Sequence, residues 1–591
     1  MRRPSHRPSR FRPEMTVLEG RCLPASDPIL AWNEVLLQAN AADHSRPAPE
    51  QGGPNLTARA FAVVSVAMYD AFNSTNPVGR PYFVRVPHAR NADTTAAVAQ
   101  AAHDTLVALY PSQAAAFDAA LTRALAGVRD GPREDRGREV GCMVAATILQ
   151  ARTGDMADSI QVPGYEPSGL PGFHDVDPLN PGQGFYAPDY MDVAPFAIPN
   201  ADFAQARPLD DGTPEGRMAF LQSDEYTAAY NEVVALGGDG VTTPTSRTAE
   251  QTIIGHYWGY DGAPGLGTPP RLYNQIARVV AEQEGNTPAE NARLFALVNV
   301  AMADAGLSCW NSKYDNDFWR PILGVRGGEG DGNAATAGDA DWTPLGAALS
   351  NGTASQINFT PPFPAYTSGH ATFGAALFQT LTRFYGTDNV TFTFVSDEYN
   401  GATTDAGGTT PRPLVPRTFH SFSEASFENA QSRIYLGVHW AFDRDEGIAC
   451  GNVVADYVFD HMMQPGAHGG GPKPGNETPV EKSTVLAVYG TAGDDVILIG
   501  PGTVTVNGHA IPLRGADWLV VFAGSGDDTV IVADDARVPV SVHGGAGVDA
   551  VVGESHGVYF VQDGVGGPET GDVSRMDIEL ETDVYDFPFG F

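Results

Sequence analysis

From about residue 28 to residue 463 apolar side chains recur every three or four positions, the spacing that gathers them on one stripe of an α-helix. Ile29, Trp32, Val35 and Leu36 fall at i, i+3, i+6 and i+7, and Phe61, Val64, Ala67, Met68 and Phe72 make a second stripe within Leu56–Asn73. The same period predicts helices near 92–110, 112–127, 134–152, 216–236, 247–258 and 287–309, then at 370–385, 423–436 and 443–463. Residues 155–215, rich in Pro, Gly and Asp, break the pattern and read as a long surface excursion, and the Gly-rich 327–354 reads as a loop. The stretch 28–463 is therefore expected to be one all-α domain whose stripes form the core between helices.

Beyond it the pattern changes. Residues 464–480 read as a linker, mostly Gly and Pro at first. Over 481–591 Val, Thr, Gly and Asp alternate in a way that predicts a small all-β domain. That part holds 18 acidic residues against 4 Lys and Arg. Three local copies recur in it: GTAGDDVI from Gly490, AGSGDDTV from Ala523 and GGAGVDAV from Gly544. They resemble the G-G-x-G-x-D-x repeats of calcium-binding parallel β-rolls. The resemblance implies a β-roll or β-solenoid with calcium near Asp495, Asp528 and Asp549. These aspartates stand 33 and 21 residues apart, which is no tight tandem register, so plain Gly-Asp turns between strands are the competing reading.

A chain of 591 residues is too long for one average core and predicts two or three units. No uninterrupted apolar run reaches the ~18–20 residues of a membrane span. The net charge of -35 argues against nucleic acid and anionic membrane surfaces as partners. The four cysteines (Cys22, Cys142, Cys309 and Cys450) are widely spaced without a C-x-x-C, which excludes zinc and redox motifs of that kind. Residues 1–27 read as a basic leader, with six arginines in the first 25 and no apolar segment of an ordinary signal peptide. VLEGRCLPA resembles the short L-E-x-R-x-L-P-A leader of planctomycete surface and secreted proteins, which implies an extracellular or cell-surface location. A disordered basic arm is the other reading.

The chemistry concentrates in three segments: Lys313–Pro321, Phe363–His370 and Ser432–Asp443. Together they supply Lys313, Arg320 and Arg433 as cations, Ser368 and the Gly369 N–H as neutral donors, and His370 and His439. Forked guanidinium donors, a lysine point charge and a closely approaching backbone suit a tetrahedral or trigonal-bipyramidal oxyanion. Ser368 and Gly369 also precede a predicted helix, whose free N–H groups favour an anion. Each segment alone has an ordinary reading as a solvated helix face, a turn or a helix cap. Their order and residue types are what select the site.

K-x6-R-P, then S-G-H, then S-R-x5-H-x3-D resembles the signature of vanadium-dependent haloperoxidases. These share a superfamily with type 2 phosphatidic-acid phosphatases and bacterial acid phosphatases. The flanks FWRPILGVR, TPPFPAYTSGHATFG and SRIYLGVHWAFD, with YW-x-YDG and GTPPR near 257–271, resemble the fungal-type chloroperoxidase branch. Thr367 departs from the family, which usually has proline there, and is expected to loosen the turn before Ser368 without removing a ligand. The resemblance implies two four-helix bundles with the site in the second, within 287–463.

It also implies vanadate as cofactor, with His439 bonding the metal and Lys313, Arg320, Ser368, Gly369 and Arg433 neutralising its oxygens. Hydrogen peroxide, a halide and a small organic acceptor would be the partners. His370, Lys313 and Arg433 would be the catalytic residues: His370 would move the peroxide proton, and Lys313 would make bound peroxide electrophilic. Trp310 and Phe363 would wall the halide pocket, and Asp443 and Asp261 would support the ligands from behind. The alternative is a phosphatase in which His439 attacks phosphorus and His370 protonates the leaving group, since pentacoordinate vanadate mimics that transition state. A third reading is an adhesion protein with an inactive helical module, against which the intact set of site residues argues.

Overall fold

The computed structural model describes residues 27–561 except 88, 158–163, 353–357, 466–484, 492, 514–517, 534–535, 537–539, 547–549 and 553–557. The basic leader up to residue 26, nearly all of the linker and Asp549 lie outside the described residues. The first helices are α1 (Pro28–Asp43), α2 (Gly53–Thr75), α3 (Thr94–Leu109), α4 (Ala114–Leu125) and α5 (Pro132–Ala151). After a long irregular stretch come α6 (Pro214–Leu221), α7 (Asp224–Gly237), α8 (Ala249–Tyr257), α9 (Pro269–Glu284), α10 (Pro288–Asn316) and α11 (Pro321–Arg326). The last are α12 (Gly369–Tyr385), α13 (Phe422–Tyr435) and α14 (Ala441–His461).

Helix starts follow local chemistry. Thr287 and Glu290 form a reciprocal capping box on α10 ahead of Pro288, and Asp27 caps α1 from a position before Pro28. The helices α2, α3 and α5 pack together as an N-terminal group, and α10, α12, α13 and α14 form the second; α10 lies against α2 and joins the two. By length and composition α10 would suffice to cross a membrane, yet 94% of its most apolar window is buried inside the protein. Its apolar surface is consumed by the core.

The helical body is not purely α. Strands β1 (Phe392–Asn400) and β2 (Leu414–Phe419) form an antiparallel hairpin between α12 and α13. The alternation in FTFVSDEYN is short and half-buried, and a helical window averages it away. Residues 155–215 are also more than a surface excursion: His174, Tyr190, Ile198 and Ala204 are buried, and Asp304 on α10 accepts three backbone N–H groups from 196–198. A segment with few apolar periodicities is held here by hydrogen bonds to a buried carboxylate.

The C-terminal strands are β3 (Val485–Tyr489), β4 (Val496–Ile499), β5 (Thr503–Val506), β6 (His509–Pro512), β7 (Trp518–Ser525), β8 (Thr529–Val532), β9 (Val540–Ala546), β10 (Ala550–Val552) and β11 (Val558–Val561). One sheet runs β11-β9-β7-β3 and is parallel throughout. The other runs β10-β8-β4-β5-β6, parallel except for the hairpin β5–β6 and its junction with β4. Successive strand pairs thus stack as solenoid coils over a core of Val, Ile and Leu. The hairpin explains the uneven aspartate spacing: it lengthens the first coil to 33 residues, while the next, with none among its described residues, takes 21.

Candidate active site

Lys313 lies in the last turn of α10, inside the helix and not beyond its end as the sequence pattern had it. The helix stops where Asp317 turns left-handed (φ 46). Residues 172–174 brace this end: His174 N–H donates to the Asp317 carbonyl at 3.0 Å and Trp319 N–H to the Gly172 carbonyl at 3.1 Å. Buried Arg217 donates to the carbonyls of Gly172 and Asn316 and stacks on Phe173, 4.2 Å from its ring centre. Arg320 then stands at the N-cap of α11, before Pro321. Gly437 ends α13 in the left-handed region (φ 72), and a Cβ there would meet the Gly237 carbonyl at 2.6 Å. Only glycine fits the turn that carries the chain from Arg433 to His439.

The three cations are buried together. Lys313 Nζ donates to the carbonyls of Pro364 at 2.9 Å, Ala365 at 3.0 Å and Thr367. Burial pushes its ammonium down to about 7, and Arg320 opposes its charge further. Arg320 donates to the carbonyls of Phe363 and Val438, each at 2.8 Å. Arg433 forms a two-pronged pair with Asp261, at 2.7 and 3.3 Å. Arg320 Nη2 and Arg433 Nε are buried with no partner among the described residues.

His439 and His370 are in opposite tautomers. His439 Nδ1 lies 2.9 Å from the Asp443 carboxylate, which also accepts the Trp440 N–H at 3.0 Å. A carboxylate accepts, so Nδ1 carries the hydrogen and Nε2 is bare, 2.9 Å from Arg320 Nη1. Burial drives this imidazole well below its ordinary range, with Arg320, Lys313 and Arg433 adding to the effect. Burial likewise raises Asp443 to about 7. His370 Nε2 lies 2.7 Å from the Gly259 carbonyl, which leaves Nδ1 as its basic nitrogen. Its pKa is pushed down to about 3, by burial first and then by Arg433, with Asp261 at 3.9 Å working the other way. Ser368 caps α12, accepting the Ala371 N–H at 3.5 Å, and is tied to α14 by its own N–H, which donates to the Asp443 carbonyl at 3.0 Å.

A cavity of about 160 Å³ opens onto these groups and is lined by Gly369, His370, Arg433 and His439. Its wall includes Trp310 and Phe363, whose ring centres lie 4.9 Å apart, and Tyr186, 6.0 Å from the first and 6.1 Å from the second. Lys313 Nζ sits 5.0 Å from the Phe363 ring centre. The turn before Ser368 is not loosened by Thr367. That residue is buried, its hydroxyl donates to Cys309 Sγ at 3.4 Å, and its carbonyl accepts from Lys313.

Comparison with known proteins gives this arrangement its family. The family model described as the VCPO second helical-bundle domain matches residues 293–467. Over 491 residues the chain is 34% identical to the vanadium chloroperoxidase of Curvularia inaequalis, covering 70% of this chain and 78% of that one. The chain belongs to the vanadium haloperoxidase family. Solved structures share the fold at lower identity. The first bacterial vanadium-dependent iodoperoxidase aligns with a TM-score of 0.59 at 21% identity, over 76% of this chain and 100% of that one. The holo-type bacterial vanadium-dependent chloroperoxidase aligns at 0.53 and 16%, over 71% and 95%.

The residues present fit the family's cofactor. The orphaned donors Arg320 Nη2 and Arg433 Nε, buried around a bare imidazole nitrogen, are a donor set that an oxyanion satisfies. Lys313, Arg320, Ser368, Gly369, His370, Arg433, His439, Asp443, Asp261, Trp310 and Phe363 all fall in this one region, as the motifs implied. Asp495 and Asp528 each directly precede a strand, β4 and β8. Asp495 accepts from Thr491 and from Asn507, and Asp528 accepts the Asp495 N–H at 2.8 Å. Among the described residues no group of three or more His, Cys, Asp or Glu is placed to hold a metal ion.

Sequence reasoning missed Tyr186, His174 and Tyr260. His174 is buried in a ring cluster with Tyr165 and Phe185, and burial together with Arg320 and Lys313 holds it far below its usual pKa. The aromatic density of GFYAPDY was the available signal for Tyr186 in this member of the vanadium haloperoxidase family.

Proposed function

We propose that this protein oxidises chloride and bromide with hydrogen peroxide, using vanadate held in the pocket, and releases hypohalous acid that halogenates a small organic acceptor. The observation that carries the reading is His439 Nε2, left without a hydrogen by Asp443, met by the Arg320 guanidinium and within the electrostatic reach of Lys313 and Arg433. Vanadate bound there would supply a Lewis-acid centre that activates peroxide without changing oxidation state.

The chain's own part is electrostatic and acid–base. His439 would hold the cofactor through its lone pair, while Arg320, Arg433 and Lys313 would neutralise its oxygens, with Ser368 and the Gly369 N–H as neutral donors. Positive charge fixed before the reaction needs no reorganisation, which makes it the larger contribution. His370, with Nδ1 basic, takes the peroxide proton and returns one, a step worth ~10²–10⁴-fold. A bound anion counteracts Arg433 and raises this imidazole toward the working pH. Trp310, Phe363 and Tyr186 exclude water, so the pull of Lys313 on the peroxide oxygen acts at a low local dielectric. That apolar wall favours halide oxidation over the phosphatase alternative. The resemblance of VLEGRCLPA to an export leader supports a place at the cell surface or beyond.

The test is one preparation assayed twice after adding orthovanadate: halogenation of monochlorodimedone with peroxide and halide, and hydrolysis of p-nitrophenyl phosphate. Halogenation that phosphate suppresses during reconstitution supports the reading. Phosphate hydrolysis without halogenation overturns it in favour of the phosphatase.

A further inference from the structure

The loop 258–262 between α8 and α9 carries two groups of the site. The Gly259 carbonyl holds His370 Nε2 at 2.7 Å, and Asp261 pairs with Arg433 at 2.7 Å. Its backbone is not self-sustaining, because Tyr260 sits at φ 51, in the left-handed region that a residue with a Cβ disfavours. The strand β1 grips the segment at both ends. Tyr257 Oη donates to the Phe394 carbonyl at 2.7 Å, and Ser396 Oγ to the Tyr257 carbonyl at 2.6 Å. Further on, Asp397 N–H donates to Tyr260 Oη at 2.8 Å, and Tyr260 N–H donates to Glu398 Oε1 at 3.2 Å. Glu398 is fully buried, and its other oxygen accepts from Ser350 and from Arg412. It lies so close to the loop that a Cβ on Gly259 would stand 2.8 Å from Oε1.

We propose that Glu398, held by Arg412 and Ser350, is a positioning residue for the halide-oxidising reaction: it fixes the Gly259–Asp261 loop and, through it, His370 and Arg433. The inference rests on the function proposed above. Glu398 is not among the residues that line the cavity, so its effect passes through the loop. The acceptor oxygen is the essential part, because it satisfies the N–H of Tyr260, the residue of this loop held in a disfavoured conformation. Without it the Gly259 carbonyl drifts, the His370 ring loses its fixed tautomer and direction, and Asp261 no longer aims Arg433. Misplacement of ~1 Å at a reacting group costs ~10²-fold in rate.

The experiment compares wild-type full-length protein with Glu398→Leu and with the double variant Glu398→Gln/Arg412→Met, all reconstituted with orthovanadate. The leucine lacks the acceptor, whereas glutamine keeps it and the second change removes the cation left without its partner. In Glu398→Leu, kcat per bound vanadate is expected to fall ~10²-fold with KM for peroxide unchanged, and inorganic phosphate should bind several-fold more weakly by calorimetry as Arg433 loosens. The double variant is expected to stay within a few-fold of wild type in both.

A folded Glu398→Leu protein with wild-type kcat per vanadate overturns the proposal, as does a double variant that falls as far as the leucine variant. If Glu398→Leu does not fold, Tyr260→Phe carries the test by deleting the two bonds of that hydroxyl, from Asp397 N–H and to Gln275 Oε1. A several-fold drop in kcat at unchanged KM supports positioning, and no change overturns it. A wild-type protein that binds orthovanadate yet oxidises no halide defeats the function itself, which is a different result from variants that match an active wild type.

Discussion

The pocket in the helical body and the aspartate ladder in the C-terminal sheets use buried charge in opposite ways. Around the pocket, buried donors are left over: Arg320 Nη2 and Arg433 Nε have no partner among the described residues, while His439 Nε2 carries no hydrogen and meets the Arg320 guanidinium. In the sheets Asp495 accepts from Thr491 and Asn507 with both its oxygens, and Asp528 accepts the Asp495 N–H of the neighbouring coil. A buried polar group without a partner costs free energy, so a site that carries several is built for something that arrives later. Both clusters set charged residues beside glycines, but the pocket's leftover groups are donors, whereas the ladder's carboxylates accept from the turns around them.

Removing the metal-bonding nitrogen should break that comparison most severely. His439→Ala is expected to abolish vanadate retention in equilibrium dialysis, because only charge and hydrogen bonds remain, and unchanged retention removes His439 from the ligand role. Next in size is His370→Ala, which should keep vanadate yet lose turnover by ~10²–10⁴-fold near neutral pH. Asp443→Ala frees the His439 ring from its tautomer and should weaken vanadate binding by ~10–100-fold, as loss of such supporting partners does at metal sites.

Phe363→His should lower chloride turnover while sparing bromide, by wetting the wall next to Lys313. A wild type that never oxidises chloride, with the variant unchanged, removes the apolar wall from the argument. Smallest is the effect of deleting 478–591: every pocket residue precedes Asp443 or is Asp443 itself, so turnover per vanadate should not change. Added calcium should not raise Tm through Asp495, both of whose oxygens already accept from Thr491 or Asn507.

Most of the pocket was legible because its residues are consecutive in three short segments, where sequence neighbours are also neighbours in space. The helices were legible from their stripes. What escaped was brought in from far along the chain. Tyr186 reaches the cavity from a segment without periodicity, and it is held by contacts such as the Tyr186 N–H to the Pro362 carbonyl at 2.9 Å. The hairpin β1–β2 escaped because nine residues of half-buried strand make little signal inside a helical domain. Thr367 was misjudged for a related reason: its stiffness comes from Cys309 and Lys313, more than 50 residues earlier. In the C-terminal part the coil register was hidden by the β5–β6 insertion, which a fixed period cannot absorb.

The composition of the cavity wall bears on how long such a catalyst lasts. Glycine, proline, phenylalanine and a few polar residues line it, and neither cysteine nor methionine is among them. Hypohalous acid attacks sulfur faster than any other side-chain atom, so the first surface the product meets offers nothing that reacts at once. Cys309 stands behind Thr367 and is fully buried. Wear over many turnovers should therefore accumulate on the rings that remain in view, with halogenated Tyr186 and Tyr260 appearing in peptide mass spectra before any oxidised thiol.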